Sequence, residues 1–284
     1  MVETGSGHAI ERAALECLQA SDPARKVELT AAFAALFSVG GVTVGRCDEP
    51  VQTICAPGRP ERPNLVAPRN VAHRGLGSVE GRAAFVHAIA HIEFNAINLA
   101  WDAVYRFRGM PQQFYADWVG VAADEARHFA MLRERLQQLG HDYGDFDAHN
   151  GLWEMAGKTA HSCRERMALV PRVLEARGLD VTPGMIVRLR TVGDDATAQI
   201  LEVILREEVA HVAAGSRWFR WCCERDGVEP EAEFRRLLED HARGAVRGPL
   251  NLDARAAAGF SAAELEAMAA AAQAPRPAPS KGAG

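Results

Sequence analysis

The sequence predicts an all-α protein: a four-helix bundle with additional N- and C-terminal helices and a long wrapping segment. Three observations carry that prediction. Long stretches repeat apolar residues every three or four positions, and they begin and end at Ser, Asp, Pro and Gly signals. Strand-like alternation is scarce. The longest stretches fall into two successive hairpins, one folded about Gly109 and the other about Gly193.

From the N-terminus, residues 9–38 read as two short helices, "IERAALECLQA" and "DPARKVELTAAFAALF". Ser21 or Asp22 can cap the second, and Pro23 suits a first turn, where a missing N–H leaves nothing unpaired. Residues 39–77 are rich in Pro, Gly and Arg without helical period. Structureless stretches of that length are uncommon in compact domains, so this one is expected to wrap something. Ser78 can cap "VEGRAAFVHAIAHIEFNAINLAWDAVYRFR", which stops at Gly109. Pro111 opens "PQQFYADWVGVAADEARHFAMLRERLQQL", which stops at Gly140. A third helical stretch runs from about Leu152 to Gly193, with an interruption expected at Gly178–Pro183. Asp194 or Asp195 caps the fourth, "ATAQILEVILREEVAHVAAGSRWFRWCCERD". Two more helices follow, "EPEAEFRRLLEDHAR" and "AAELEAMAAAAQ", the latter opened by a Ser261/Glu264 capping box. The expected organisation is N-terminal helices and wrapping segment over 1–77, the bundle over 78–226, C-terminal helices over 227–273 and a disordered tail over 274–284.

The 284 residues are 48% hydrophobic and 24% charged, enough for a substantial core. A net charge of −5 gives no global attraction to nucleic acid or anionic lipid. The six cysteines show no C-x-x-C spacing, so neither a zinc ribbon nor a disulfide framework is indicated. No window approaches 18 uninterrupted apolar residues and no secretory leader pattern opens the chain, so a cytoplasmic, membrane-free setting is expected.

Two segments echo each other. "DEARHF" places Glu125 three residues before His128, and "EEVAHV" places Glu208 three before His211. Residues three apart share a helix face, and both faces are otherwise apolar: Trp118, Val121, Ala122, Phe129 and Leu132 around the first pair, Leu201, Ile204, Leu205 and Val212 around the second. A carboxylate on a core-facing stripe is costly unless it is paired or bound to a cation. Glu93 stands on a similar stripe of Val86, Ile89, Ala90, Ala96, Ile97 and Ala100. It lies sixteen residues before Gly109, and Glu125 lies sixteen after it. In an antiparallel pair that sets both at one level, roughly 24 Å from the turn. Glu175 lies eighteen residues before Gly193 and Glu208 fifteen after it, a mismatch that a break at Gly178–Pro183 would absorb. Glu165 competes with Glu175 for the third-helix position, but its neighbours His161, Ser162, Lys158 and Arg172 are polar and point to a solvated place.

Four carboxylates and two histidines converging inside four helices form the donor set of di-iron and di-manganese carboxylate proteins, where carboxylates bridge two divalent ions and offset their charge. Against this stands a plainer reading, in which Glu125 and Glu208 pair with arginines such as Arg127 or Arg206. Asp124 and Glu207, beside the two Glu-x-x-His steps, can orient a ligand histidine from a neighbouring helix, although such residues are more often surface acids. His87 and His91 are offset from the Glu93 stripe and read as outer groups around the metals, or as surface. Tyr105 is too far along its helix to reach a ligand position. Arg59, Arg62, Arg69, Arg74 and Arg82 could form a basic rim for an acidic substrate, but pairing with surface acids that fixes the loop is the favoured reading.

"HIEFNAINLAWD", "DEARHF", "LEARGLD" and "EEVAHV" resemble a bacterial ferritin-like di-iron carboxylate family and, more distantly, the non-haem di-iron tRNA hydroxylases. The resemblance covers roughly residues 60–225. It implies a ferritin-like bundle with Glu93, Glu125, His128, Glu175, Glu208 and His211 as ligands of two Fe ions, with Mn or a mixed Mn/Fe pair as alternatives. It further implies an O₂-activating oxygenase or hydroxylase acting on a small molecule, served by a redox partner protein. The alternative is ferroxidase or iron-handling activity without an organic substrate, and a metal-free relic is the third reading. RNA as substrate follows only from the distant resemblance and sits poorly with the acidic charge. A dimer is left open. "GLDVTPG", directly after Glu175, departs from the family pattern and puts that ligand in doubt.

Overall fold

Ser78 accepts a hydrogen bond from the Gly81 amide and opens α3, Val79–Arg106, the longest helix of the N-terminal half. The computed structural model describes residues 8–45, 49–72, 74–241 and 246–273. Within them the chain is mostly helical, and the strand content is one parallel pair of two-residue segments, β1 (His8–Ala9) and β2 (Val42–Thr43). The expected disordered tail, 274–284, lies outside the described residues.

Helix α1 (Ile10–Gln19) lies against α3, and helix α2 (Pro23–Ser38), capped by Asp22, lies against the later helix α4 (Gln112–Gln138). The Lys26 ammonium, fully buried, donates to the carbonyls of Cys17 and Leu18 and to Asn98 Oδ1 at 2.6, 3.2 and 2.7 Å, stapling both helices to α3. Helix α4 (Gln112–Gln138) returns along α3. The turn glycines Gly109, Gly140 and Gly193 all adopt positive φ, as their helix-ending role demands.

The third stretch differs from expectation. It comprises α5 (Gly151–Lys158), α6 (Cys163–Leu169), a π-helical turn at Val170–Glu175 and α7 (Ala176–Thr191). The helix does not break at Gly178–Pro183. Pro183 removes the N–H that would have met the Leu179 carbonyl, and the Asn251 side-chain amide donates to that carbonyl at 3.2 Å instead. The irregularity lies upstream, at Pro171, whose ring seats against Gly215; a Cβ there would come within 2.4 Å of the proline ring. Helix α8 (Asp195–Asp226), capped by Asp194, lies against α4, α6 and α7.

Helices α9 (Pro230–His241), α10 (Leu252–Ala257) and α11 (Ala262–Gln273) complete the described chain. The six-residue α10 was not expected, being too short to show a period. It grips α7: Arg255 makes a two-pronged pair with Asp180, at 2.9 and 2.7 Å. The extended segment does wrap the helices. Its Gly58 amide bonds Leu18 O, the Gln52 amide bonds the Tyr105 hydroxyl, Cys55 O accepts from Trp153 Nε1, and Val66 pairs with Ala148. Tyr105 is buried. Among the described residues no helix is long and apolar enough to cross a membrane.

Candidate metal centre

Glu93 on α3, Glu125 and His128 on α4, and Glu208 and His211 on α8 project into one buried space, none more than 9% exposed. Glu93, Glu125, His128 and Glu208 each offer a ligand atom within 4.8 Å of the others, a grouping that could hold a metal ion. His128 Nδ1 lies 3.3 Å from Glu93 Oε2 and 3.4 Å from Glu125 Oε2. His211 Nδ1 lies 3.0 Å from Glu125 Oε1 and 3.5 Å from Glu208 Oε1. Glu125 therefore turns one oxygen to each histidine.

The outward nitrogens are held from the opposite hairpin. His128 Nε2, on α4, meets Glu207 Oε2 of α8 at 2.7 Å, and His211 Nε2, on α8, meets Asp124 Oδ2 of α4 at 3.2 Å. Arg127 bridges the two acids, at 2.9 Å to Asp124 and 2.6 Å to Glu207. In the neutral tautomer selected by these partners the proton sits on Nε2, and each Nδ1 lone pair faces the carboxylates. Arg127 and Arg206 pair with Asp124 and Glu207, not with Glu125 or Glu208 as the plainer reading required.

Glu175 enters from the last residue of the π-turn and lines the same cavity as Glu93, Glu125 and Glu208. It stands apart from the tightest group, and its buried Oε2 has no hydrogen-bond partner. Glu165 does not line that cavity; its carboxylate pairs with His161 at 3.2 Å. His91 turns away from the carboxylates, with Nδ1 at 2.9 Å from the Tyr143 hydroxyl and Nε2 at 3.0 Å from the His149 carbonyl. His87 stacks on Tyr143, and its Nε2 accepts from the Gly144 amide. Burial lowers both of these histidines to about 4, keeping them neutral.

Proton affinities in the group report its crowding. Burial, then the charge of Glu125, pushes Glu93 well above the ordinary carboxylate range. Burial, then Glu208 and Glu125, pushes Glu175 up to about 8. Burial opposes a charge on His128, but the adjacent carboxylates of Glu125 and Glu93 outweigh it and lift His128 to about 10. Burial likewise opposes a charge on His211, and Glu208 and Asp124 reverse the balance. Protons thus offset the carboxylates. Buried Glu125 Oε2, Glu175 Oε2 and His211 Nδ1 all lack hydrogen-bond partners. Unpartnered buried polar atoms of this kind are rare in folded proteins, and cations bound in this group would supply the missing partners. Carboxylate oxygen with imidazole nitrogen suits iron and manganese, so the residues fit the expected ions.

A cavity of about 350 Å³ adjoins the carboxylates. Its walls come from α3, α4, the π-turn, α7 and α8, with His149, Gly151 and Leu152, and the first 77 residues contribute none of them. The wrapping segment is occupied elsewhere. Arg59 donates to the Pro60 and Pro63 carbonyls, Arg82 to Leu76 O, and Arg74 pairs with Glu80 at 3.6 Å.

Comparison with known proteins places these residues in a family. No solved structure is similar to the chain. An uncharacterized protein of Haemophilus influenzae is 48% identical over 214 residues, covering 73% of this chain and 74% of that protein. The profile of a family described as "Protein of unknown function (DUF455)" matches residues 19–266, which includes every residue of the centre. The chain belongs to the DUF455 family.

Proposed function

We propose that the chain is a ferritin-like di-iron carboxylate protein that activates O₂ to oxidise a small organic substrate. The observation that carries this reading is Glu125, whose two oxygens each face a different inward histidine nitrogen. With Glu93 beside His128 and Glu208 beside His211, the group divides into two matched halves joined by one carboxylate, which is the division a pair of ions needs. Glu175 supplies the fourth carboxylate from the cavity wall. Two iron ions held there would supply redox chemistry toward O₂, and manganese is compatible with the same donors. The chain's own part is to aim both Nδ1 atoms inward through Glu207 and Asp124, to give up the Glu93 and Glu175 protons on loading, and to keep an apolar space beside the centre. That space favours an organic substrate over iron handling alone.

The test is iron content after anaerobic reconstitution with Fe(II), beside a Glu125→Ala, Glu208→Ala double variant. About two irons per chain, lost in the variant, is the expected result. Little binding, or equal binding in the folded variant, overturns the reading.

A further inference from the structure

The cavity beside the carboxylates has a floor and a wall of different character. Glu93, Glu125 and Glu208 form a buried acidic floor. Ala96, Leu152, Leu174, Val181, Met185 and Ile204 make an aliphatic wall above it. The basic side chains at its rim are directed elsewhere: Arg177 Nη1 donates to the carbonyls of Arg247 and Pro249 at 2.7 and 3.3 Å and lies 3.6 Å from Asp180, while His149 Nδ1 accepts from the Gly151 amide. On the di-iron reading, the four carboxylates balance two divalent ions and leave the floor little net charge to favour a charged ligand.

Gly178 lies on the same wall, in the first turn of α7. A glycine inside a helix costs about 1 kcal/mol relative to alanine, and neither usual reason for one applies here. Its φ is not positive, and apart from its own stretch of helix backbone no atom lies within 4 Å of where a Cβ would stand. The missing side chain leaves room on the cavity wall.

We propose, resting on the preceding reading of the centre, that this cavity binds an uncharged apolar substrate, an alkyl chain or single ring of roughly ten non-hydrogen atoms, and that Gly178 sets its size limit. The acidic floor would then meet the C–H bonds of a hydrocarbon rather than a charged head group.

The probe is trifluoromethylbenzene, followed by ¹⁹F NMR on the full chain after Fe(II) reconstitution without oxygen, with iron measured on the same samples. The expected result is saturable binding at one site per chain. 1-Hexanol should displace the probe at least tenfold better than hexanoate or hexylammonium. Gly178→Leu should weaken binding at least tenfold while retaining wild-type iron and an equal or higher melting temperature. Gly178→Ala, a smaller filling and a better helix former, should give an intermediate loss and covers the case of a misfolded leucine variant. No saturable binding, equal competition by the charged analogues, or unchanged binding in both glycine variants overturns the proposal. Full iron without probe binding overturns this inference alone; probe binding without iron supports the apolar site and overturns the di-iron reading.

Discussion

Glu207 Oε2 and His128 Nε2 stand 2.7 Å apart, although one belongs to α8 and the other to α4. Asp124 and His211 make the reciprocal contact at 3.2 Å. Each histidine is thus aimed by an acid from the opposite hairpin. Glu207→Gln keeps the reach and loses the charge, and Fe(II) or Co(II) affinity at pH 7 should fall about 10–100-fold. Asp124→Asn should cost less, because its contact is longer and its carboxylate more exposed. A chelator-competition titration measures both, and unchanged affinity in both variants would reduce the two acids to surface contacts.

The metal-free chain should lose stability as pH rises from 6.5 to 8. Glu175 titrates near 8 in the fold against 4.5 in its ordinary state, so between those values the native state holds a proton that the unfolded chain has released. His128, raised from 6.5 to about 10, acts in the same direction over its own window. Each contributes a slope of at most about 1.4 kcal/mol per pH unit. Below pH 6.5 the buried neutral His87 and His91 act in the opposite sense, so the decline is read above it: urea midpoints with EDTA should fall between pH 6.5 and 8, and Glu175→Gln should flatten the fall. Metal loading should run the other way and improve through pH 8 as protons leave the ligands.

Gly215→Ala places a methyl group against the Pro171 ring, in space that is already filled. The expected loss is about 1–3 kcal/mol in denaturant unfolding. Because Glu175 lies at the end of the same π-turn, the variant should also alter the electronic spectrum of a Co(II)-loaded centre. A stable variant with an unchanged spectrum would show that the turn does not set the position of Glu175.

Asp102 is fully buried and accepts from Arg166 Nη1 at 2.5 Å, joining α6 to α3. Asp102→Ala leaves the buried Arg166 guanidinium without its counter-charge, and unfolding free energy should drop by about 3–5 kcal/mol. A loss below 1 kcal/mol would mean that water or a backbone carbonyl takes over.

The centre was legible where helices are regular. Equal spacing from Gly109 matched Glu93 with Glu125 because α3 and α4 run without interruption on either side of that turn. The places of Asp124 and Glu207 beside the Glu-x-x-His steps suggested their contacts, although Arg127 as the bridge between them was not anticipated. Legibility failed around Glu175. Local breaker signals pointed to Gly178 and Pro183, but a residue some seventy positions away, Asn251, accommodates the proline, and the irregularity falls at Pro171, where only Gly215 admits the ring. The walls of the cavity come from elements far apart in the chain, an arrangement that no local pattern records.

The strap formed by residues 49–72 has a kinetic consequence. Its hydrogen bonds reach Leu18, Tyr105, Ala148 and Trp153, partners separated from it by some 40 to 98 positions along the chain. Each of them closes a loop of at least 40 residues, whereas the helical hairpins close over short loops. The strap should therefore dock after the hairpins and open before them, and the amides of Gly58 and Val66 should exchange with solvent before those in the middle of α3 and α8.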